Sequence, residues 1–320
     1  MRVAILLIVL AALAGGVAGA TQSVSVTVLQ AEKLNQQGEY KAAIALLDAY
    51  LAQHPKDVRA LVDRGDAYEG SGDQQTAIVD YTAALEVNPQ FAYAYASRCQ
   101  SRWEIDQDRA ALEDCSRAIA LDPHMGYALR QRALVDLDLQ DVTSAIADAD
   151  KAVALNPDEP FSLATRCHVY VAAKRYADAV RDCTTAIALD DRNATPHFYR
   201  GRAEIELKEW AAAIDDFSKV IDRDPTETGA FYWRAVALDG TKTYAAGLSD
   251  IDRYLKVNGD DGDAYLLRAQ IEMGLGNGDE AKSSATDALR HYRIDNDAAG
   301  AERAQALLDQ LRVGSQTTTH

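Results

Sequence analysis

Residues 58–90 read VRALVDRGDAYEGSGDQQTAIVDYTAALEVNPQ, and the proline next to their end, Pro89, belongs to a series. Pro55, Pro89, Pro123 and Pro157 stand 34 residues apart, and Pro225 lies 68 beyond the last of them. The dipeptides match as well: His54-Pro55, Asn88-Pro89, Asp122-Pro123, Asn156-Pro157 and Asp224-Pro225. A fixed period of this length marks a repeat array rather than a set of independent domains. Counting each proline as position 32 sets a register in which repeats begin at Val24, Val58, Ala92, Gly126, Pro160, Ala194, Thr228 and Gly262.

The register holds inside the repeats. Position 8 carries Ala31, Gly65, Cys99, Ala133, Cys167, Gly201, Ala235 and Ala269, all small. Position 20 carries Ala43, Ala77, Ala111, Ala145, Ala179, Ala213, Gly247 and Ala281. Small residues at fixed points let two antiparallel helices approach closely. Position 15 is Gly38, Gly72 and Gly276 in three repeats and polar in the others, as a tight turn requires. With Gly65, Tyr68, Gly72, Ala77, Tyr81, Ala84 and Pro89 in place, residues 58–90 resemble a tetratricopeptide repeat, a helix-turn-helix unit. The resemblance covers roughly residues 24–295 and implies an all-α fold, an α-solenoid of eight such units forming a right-handed superhelix. It weakens where Asp191, Gly259 and Arg293 replace the proline. Residues 296–313, with Ala301, Ala304, Leu307, Leu308 and Leu311 on one face, are expected to form a capping helix that solvates the end of the array. Residues 314–320 are expected to be a flexible tail.

Residues 1–20 stand apart from the array. Arg2 precedes a twelve-residue apolar run over 3–14, and Ala18-Gly19-Ala20 is a small-x-small site. This is the layout of a secretory signal peptide, with an uncleaved anchor as the alternative. The solenoid then spans 21–295 of an exported protein, periplasmic or secreted, with no stable membrane span after cleavage. The whole chain has 320 residues and a formal net charge of −16. Such an acidic surface excludes nucleic acid as a partner, because that binding needs Lys and Arg to displace counterions.

Two residue patterns invite a chemical reading. Position 7 is arginine in seven consecutive repeats, Arg64, Arg98, Arg132, Arg166, Arg200, Arg234 and Arg268. Position 23 is aspartate in six of them: Asp80, Asp114, Asp148, Asp182, Asp216 and Asp250. In a hairpin turning near position 16 these two positions lie level, so the series reads as structural salt bridges, with an anion-binding ladder as the alternative. The four cysteines, Cys99, Cys115, Cys167 and Cys183, occupy positions 8 and 24 of their repeats, which also face each other. In an exported chain the expectation is Cys99–Cys115 and Cys167–Cys183 disulfides, each contributing roughly 3 kcal/mol by loop entropy. The alternative is cysteine as a small apolar filler.

No catalytic signature is present, and the chain reads as a non-enzyme without cofactor or metal. Gly274, Gly276 and Gly278 fall at a helix-helix turn, not after a strand. Asp260-Asp261-Gly262-Asp263 lacks the spacing of a calcium loop, and Asn193-Ala194-Thr195 is a glycosylation sequon. In the tetratricopeptide family the first helix of each unit lines a concave groove. Carried over, the candidate partner-binding residues are Tyr93, Trp103, Tyr127, Arg130, Phe161, His168, Phe198, Tyr199, Arg202, Tyr232 and Trp233. The family's carboxylate clamp is not supported, since Val28, Glu32, Asp63, Tyr93 and Ser97 stand at its positions. The expected role is a scaffold holding a peptide or helix of an unknown protein partner. The alternative is a glycan-binding accessory protein that uses the aromatics as stacking platforms.

Overall fold

A computed structural model describes residues 25–317. The signal-peptide reading of residues 1–20 lies outside the described residues. All regular structure among the described residues is helical. It comprises α1 (Val26–Gln36), α2 (Tyr40–Leu51), α3 (Val58–Gly70), α4 (Gln74–Val87), α5 (Ala92–Trp103), α6 (Asp108–Leu121), α7 (Gly126–Asp138) and α8 (Val142–Leu155). There follow α9 (Pro160–Ala172), α10 (Tyr176–Leu189), α11 (Thr195–Glu206), α12 (Trp210–Arg223), α13 (Thr228–Gly240), α14 (Tyr244–Leu255), α15 (Gly262–Gly274), α16 (Gly278–Ile294) and α17 (Ala298–Thr317). Two compact bodies divide the chain, one ending at Pro89 and one beginning at Gln90.

Each repeat is one hairpin, and its turn has one solution. Position 15 adopts a left-handed backbone in all eight repeats, as Gly38, Gly72, Asp106, Gln140, Lys174, Lys208, Lys242 and Gly276. The next amide reaches back to close the helix, as Glu39 N–H does to Leu34 O at 2.9 Å and Arg175 N–H does to Tyr170 O at 2.8 Å. This Schellman geometry satisfies carbonyls that the helix end would otherwise orphan. Gly276 therefore serves a turn. Gly274, two residues before it, leaves room for the Tyr244 ring, so both of these glycines are architectural.

Position 8 meets position 24 at the centre of every hairpin, and the pair fills its slot in different ways. Gly65 lies under Tyr81 and Gly201 under Phe217, while Ala133 shares a core cluster with Ala149 and Ala235 with Ile251. In the third and fifth repeats the slot is closed covalently, by Cys99–Cys115 with Cα atoms 5.4 Å apart and Cys167–Cys183 at 5.5 Å. All four sulfurs are fully buried.

The array ends on a covered face. Ala304, Leu307 and Leu308 of α17 are buried against Leu266, Ala285, Leu289 and Tyr292, with Ala301 and Leu311 alongside. The segment expected as a tail from residue 314 is helical as far as Thr317.

Candidate functional site

The arginine series is internally consumed. Arg132 gives Nε to Asp148 Oδ2 at 2.6 Å and Nη2 to Asp148 Oδ1 at 2.9 Å. Arg64, Arg98, Arg166, Arg200 and Arg234 hold Asp80, Asp114, Asp182, Asp216 and Asp250 in the same fork. The remaining nitrogen, Nη1, crosses to position 25 of the preceding repeat: Arg64 to Asp48 at 2.7 Å, Arg200 to Thr184 and Arg234 to Ser218, both at 3.0 Å. One guanidinium thus closes its own hairpin and stitches it to the one before. Arg268 has Ser284 in place of the aspartate and turns to Asp252 at 2.9 Å and Glu272 at 3.3 Å. The polar residue at position 25 was visible in the sequence, and the stitch could have been inferred from it.

The inner helices of the body beginning at Gln90 line a cavity of about 420 Å³ that is open on one side. Tyr127, Arg130, Phe161 and His168 line it, together with Gln100, Gln131, Asn193 and Thr195. Its charges are already spent. Arg130 donates to Glu159 at 2.9 Å and lies 5.7 Å from the Tyr127 ring centre and 5.8 Å from that of Phe161. Glu159 in turn caps α9 through the amides of Phe161 and Ser162. His168 stacks on Tyr199 at 3.8 Å, and burial together with the Arg202 guanidinium pulls its imidazole down to about 4. It is neutral at physiological pH. Burial pushes the Tyr199 phenol up to about 12.

The amides of this cavity have a fixed polarity. Gln100 Nε2 donates to the Glu104 carboxylate at 2.9 Å, which leaves Gln100 Oε1 to accept from Tyr127 OH at 2.7 Å and Gln131 Nε2 at 2.8 Å. A carboxylate only accepts, so it orients every amide behind it. A smaller cavity of about 220 Å³ is lined by Thr195, Phe198, Tyr199, Val220, Asp224 and Glu227.

The other candidates divide. Tyr93 is 39% exposed and 6.0 Å from Tyr127, extending the aromatic surface, and Phe161 is 53% exposed. The Arg202 guanidinium carbon lies over the Trp233 ring, 4.2 Å from its centre. Trp103 donates its indole N–H to Asp138, Phe198 meets Phe217 edge-on at 5.8 Å, and Tyr232 packs on Tyr254 at 5.2 Å. Trp103 and Tyr232 are thus tied to neighbouring helices, while Phe198 also lines the smaller cavity. Among the described residues, no group of three or more His, Cys, Asp or Glu is placed to hold a metal ion. None of the described helices is long and apolar enough to cross a membrane.

Paired antiparallel helices, a left-handed turn at one position and an unbroken register define a helical-hairpin solenoid. A tetratricopeptide-repeat sequence profile matches residues 29–96 and 166–228. Over these two stretches the chain is similar to the tetratricopeptide-repeat family. Similar solved structures share the fold at low identity. A chain of the APC/C hetero-tetramer Cut9-Hcn1 superposes with a TM-score of 0.72 at 13% identity, over 89% of this chain and 55% of that one. This chain thus spans about half the length of that relative. A tetratricopeptide repeat protein from Parabacteroides merdae gives 0.54 at 17% identity, covering 80% of this chain and 98% of that one. The Pseudomonas aeruginosa pilF structure gives 0.56 at 18% identity, over 67% and 96%. No curated protein matches the sequence.

Proposed function

We propose that this protein is a non-catalytic interaction scaffold, working in an extracytoplasmic compartment, that holds a peptide or helix of a partner protein along the inner face of its third to seventh repeats. The observation that carries the reading is the cavity around Tyr127, Arg130 and Phe161. There, exposed aromatic surface sits beside oriented amides, while the neighbouring charges are already paired. Aromatic rings offer large contact area with few rotors to freeze, and side-chain amides match the donors and acceptors of a peptide backbone. The repeat fold is itself an interaction platform, and one similar structure is a hetero-tetramer by its own description. Two disulfides agree with export into an oxidising space.

A second reading rests on Phe161 and Tyr93, whose exposed rings suit a sugar face as well as a side chain. Capture from an envelope fraction separates the two. The full chain is expected to retain a protein that the Tyr127→Ala, Trp233→Ala double variant loses. Equal capture by both proteins removes the groove from the reading, and retention on a glycan resin favours the second.

A further inference from the structure

In the body beginning at Gln90, every half-buried arginine but one is held by a carboxylate. The exception is Arg202 on α11, which has neither an ion pair nor a hydrogen-bond acceptor among the described residues. Arg109, Arg117, Arg253 and Arg293 also lack an ion pair, but all four are exposed and keep their water. A half-buried guanidinium has given up part of its hydration. The Trp233 ring beneath it returns attraction to the charge but no acceptor for the N–H groups.

Arg202 stands where the two cavities adjoin. His168 lines the larger one and Tyr199 the smaller, and the two rings stack on each other. Burial and then the Arg202 charge pull the His168 imidazole down, and the same charge works against the rise that burial gives the Tyr199 phenol. The acids that reach this corner are engaged elsewhere. Asp138 accepts from the Trp103 indole, and Glu227 caps α13 through the Gly229 amide at 3.1 Å. Glu206, a turn further along α11, is exposed and faces the Tyr176 phenol.

We propose that Arg202, on its Trp233 platform, reads one carboxylate side chain in the segment that the groove holds. This rests on the groove reading and names the chemistry of its occupant. A carboxylate meets the guanidinium fork with two parallel hydrogen bonds, while the aromatic ring steadies the charge from one face. The net charge of −16 repels an acidic run at a distance, so the site selects a single acid among uncharged neighbours. Beside it, His168 is neutral and Arg130 is already paired with Glu159, which leaves the adjoining positions for uncharged groups. The source is an internal side chain rather than a chain end, because the aromatic face continues on both sides of α11, with Phe161 on α9 and Trp233 on α13.

The test presents the immobilised full chain with a randomised library of octapeptides, acetylated at the N-terminus and amidated at the C-terminus, and sequences what is retained. Asp or Glu is expected at one position of the retained peptides about tenfold above its input frequency, with uncharged residues around it. Arg202→Gln is expected to return that position to the input frequency while still retaining aromatic peptides. Arg202→Lys keeps the charge without the fork and is expected to keep only part of the enrichment. Retention by the unaltered chain without an acid preference overturns the proposal and leaves the groove standing. A preference that survives in Arg202→Gln does the same. Retention of no peptide at all overturns the groove reading, and the proposal with it. A second library with free C-terminal carboxylates separates the two sources of the acid. An unchanged internal preference supports the side chain, whereas its disappearance assigns the site to a chain end and overturns the side-chain reading.

Discussion

Gly201 lies under the face of Phe217 across the sixth hairpin, so close that a Cβ on residue 201 would come within 2.9 Å of Phe217 Cζ. The ring is fully buried and cannot step aside. Gly201→Ala is therefore expected to destabilise the protein by about 2 kcal/mol through overpacking, although alanine is the better helix former. Gly65→Ala, where the clash is with Tyr81 at 2.6 Å, should behave alike. The combination Gly201→Ala, Phe217→Leu should recover part of the loss. Urea unfolding measures all three.

The same slot is a disulfide in the third and fifth repeats, with sixteen residues separating each pair. Denatured, unreduced protein from an oxidising compartment is expected to show no titratable thiol, and reduction to release four. Replacing Cys167 and Cys183 by alanine gives the small pair that the fourth hairpin already holds as Ala133 and Ala149. It should cost about 3 kcal/mol from loop entropy and leave the helical signal intact.

The hairpins were legible in the sequence because every repeat solves one steric problem at the same place. Small residues recur at positions 8 and 20 wherever two helices must touch. The direction of a groove side chain depends on how neighbouring hairpins rotate against each other, which a register cannot convey. Hence Tyr127, Arg130, Phe161 and His168 share a cavity, whereas Tyr232 packs on Tyr254 and Trp103 bonds Asp138. Buried His197 contacts Asp191, which replaces the proline of the fifth repeat, and this contact escaped for a different reason. Each residue looks like a lapse in the pattern when read alone, and only the fold makes one explain the other.

The arginine forks lend themselves to a graded test. Asp182 is buried and accepts from both Nε and Nη2 of Arg166. Arg166→Ala strands that carboxylate and is expected to cost about 3 kcal/mol or more. Arg166→Lys keeps the charge but has no fork, and should recover less than half of the loss. A simultaneous Asp182→Ala change should relieve much of the alanine variant's penalty, because the stranded charge goes with it. The thermodynamic cycle read by urea unfolding tests this, and a strictly additive cycle contradicts the pairing.

Five of the eight hairpin turns place a side-chain-bearing residue in the left-handed region, Lys174 at φ 59° and Lys208 at φ 60° among them. That conformation costs a non-glycine residue roughly 1–2 kcal/mol, while glycine adopts it without strain and loses some of the gain to the entropy of its unfolded chain. Lys174→Gly and Lys208→Gly are each expected to stabilise by about 0.5–1 kcal/mol, additively, since the turns belong to different repeats. Gly72→Ala at φ 89° should move stability the other way. Thermal unfolding of the set tests the ordering.

Buried carboxylates set the pH dependence. Glu204 sits on α11 with Oε2 unpartnered among the described residues, and burial, reinforced by the Asp216 charge, pushes its carboxyl up to about 7. Asp63 is raised to about 7 and Asp136 to about 6, in each case chiefly by burial. An acid whose folded value is raised penalises the folded state while ionised. The penalty is complete above the folded value and shrinks as pH falls through it toward the unfolded value near 4. Stability contributed by these three groups should therefore rise on acidification from about pH 8 to about pH 5. The depressed carboxyls of Asp178, Asp190 and Asp216 oppose this only at lower pH, where they begin to take up protons. Glu204→Gln removes the charge without changing shape and is expected to stabilise by about 1–2 kcal/mol at pH 8. At pH 5 it should do little, because the wild-type carboxyl is already neutral there. Urea midpoints at the two pH values decide it, and a variant equally stabilising at both contradicts the assignment.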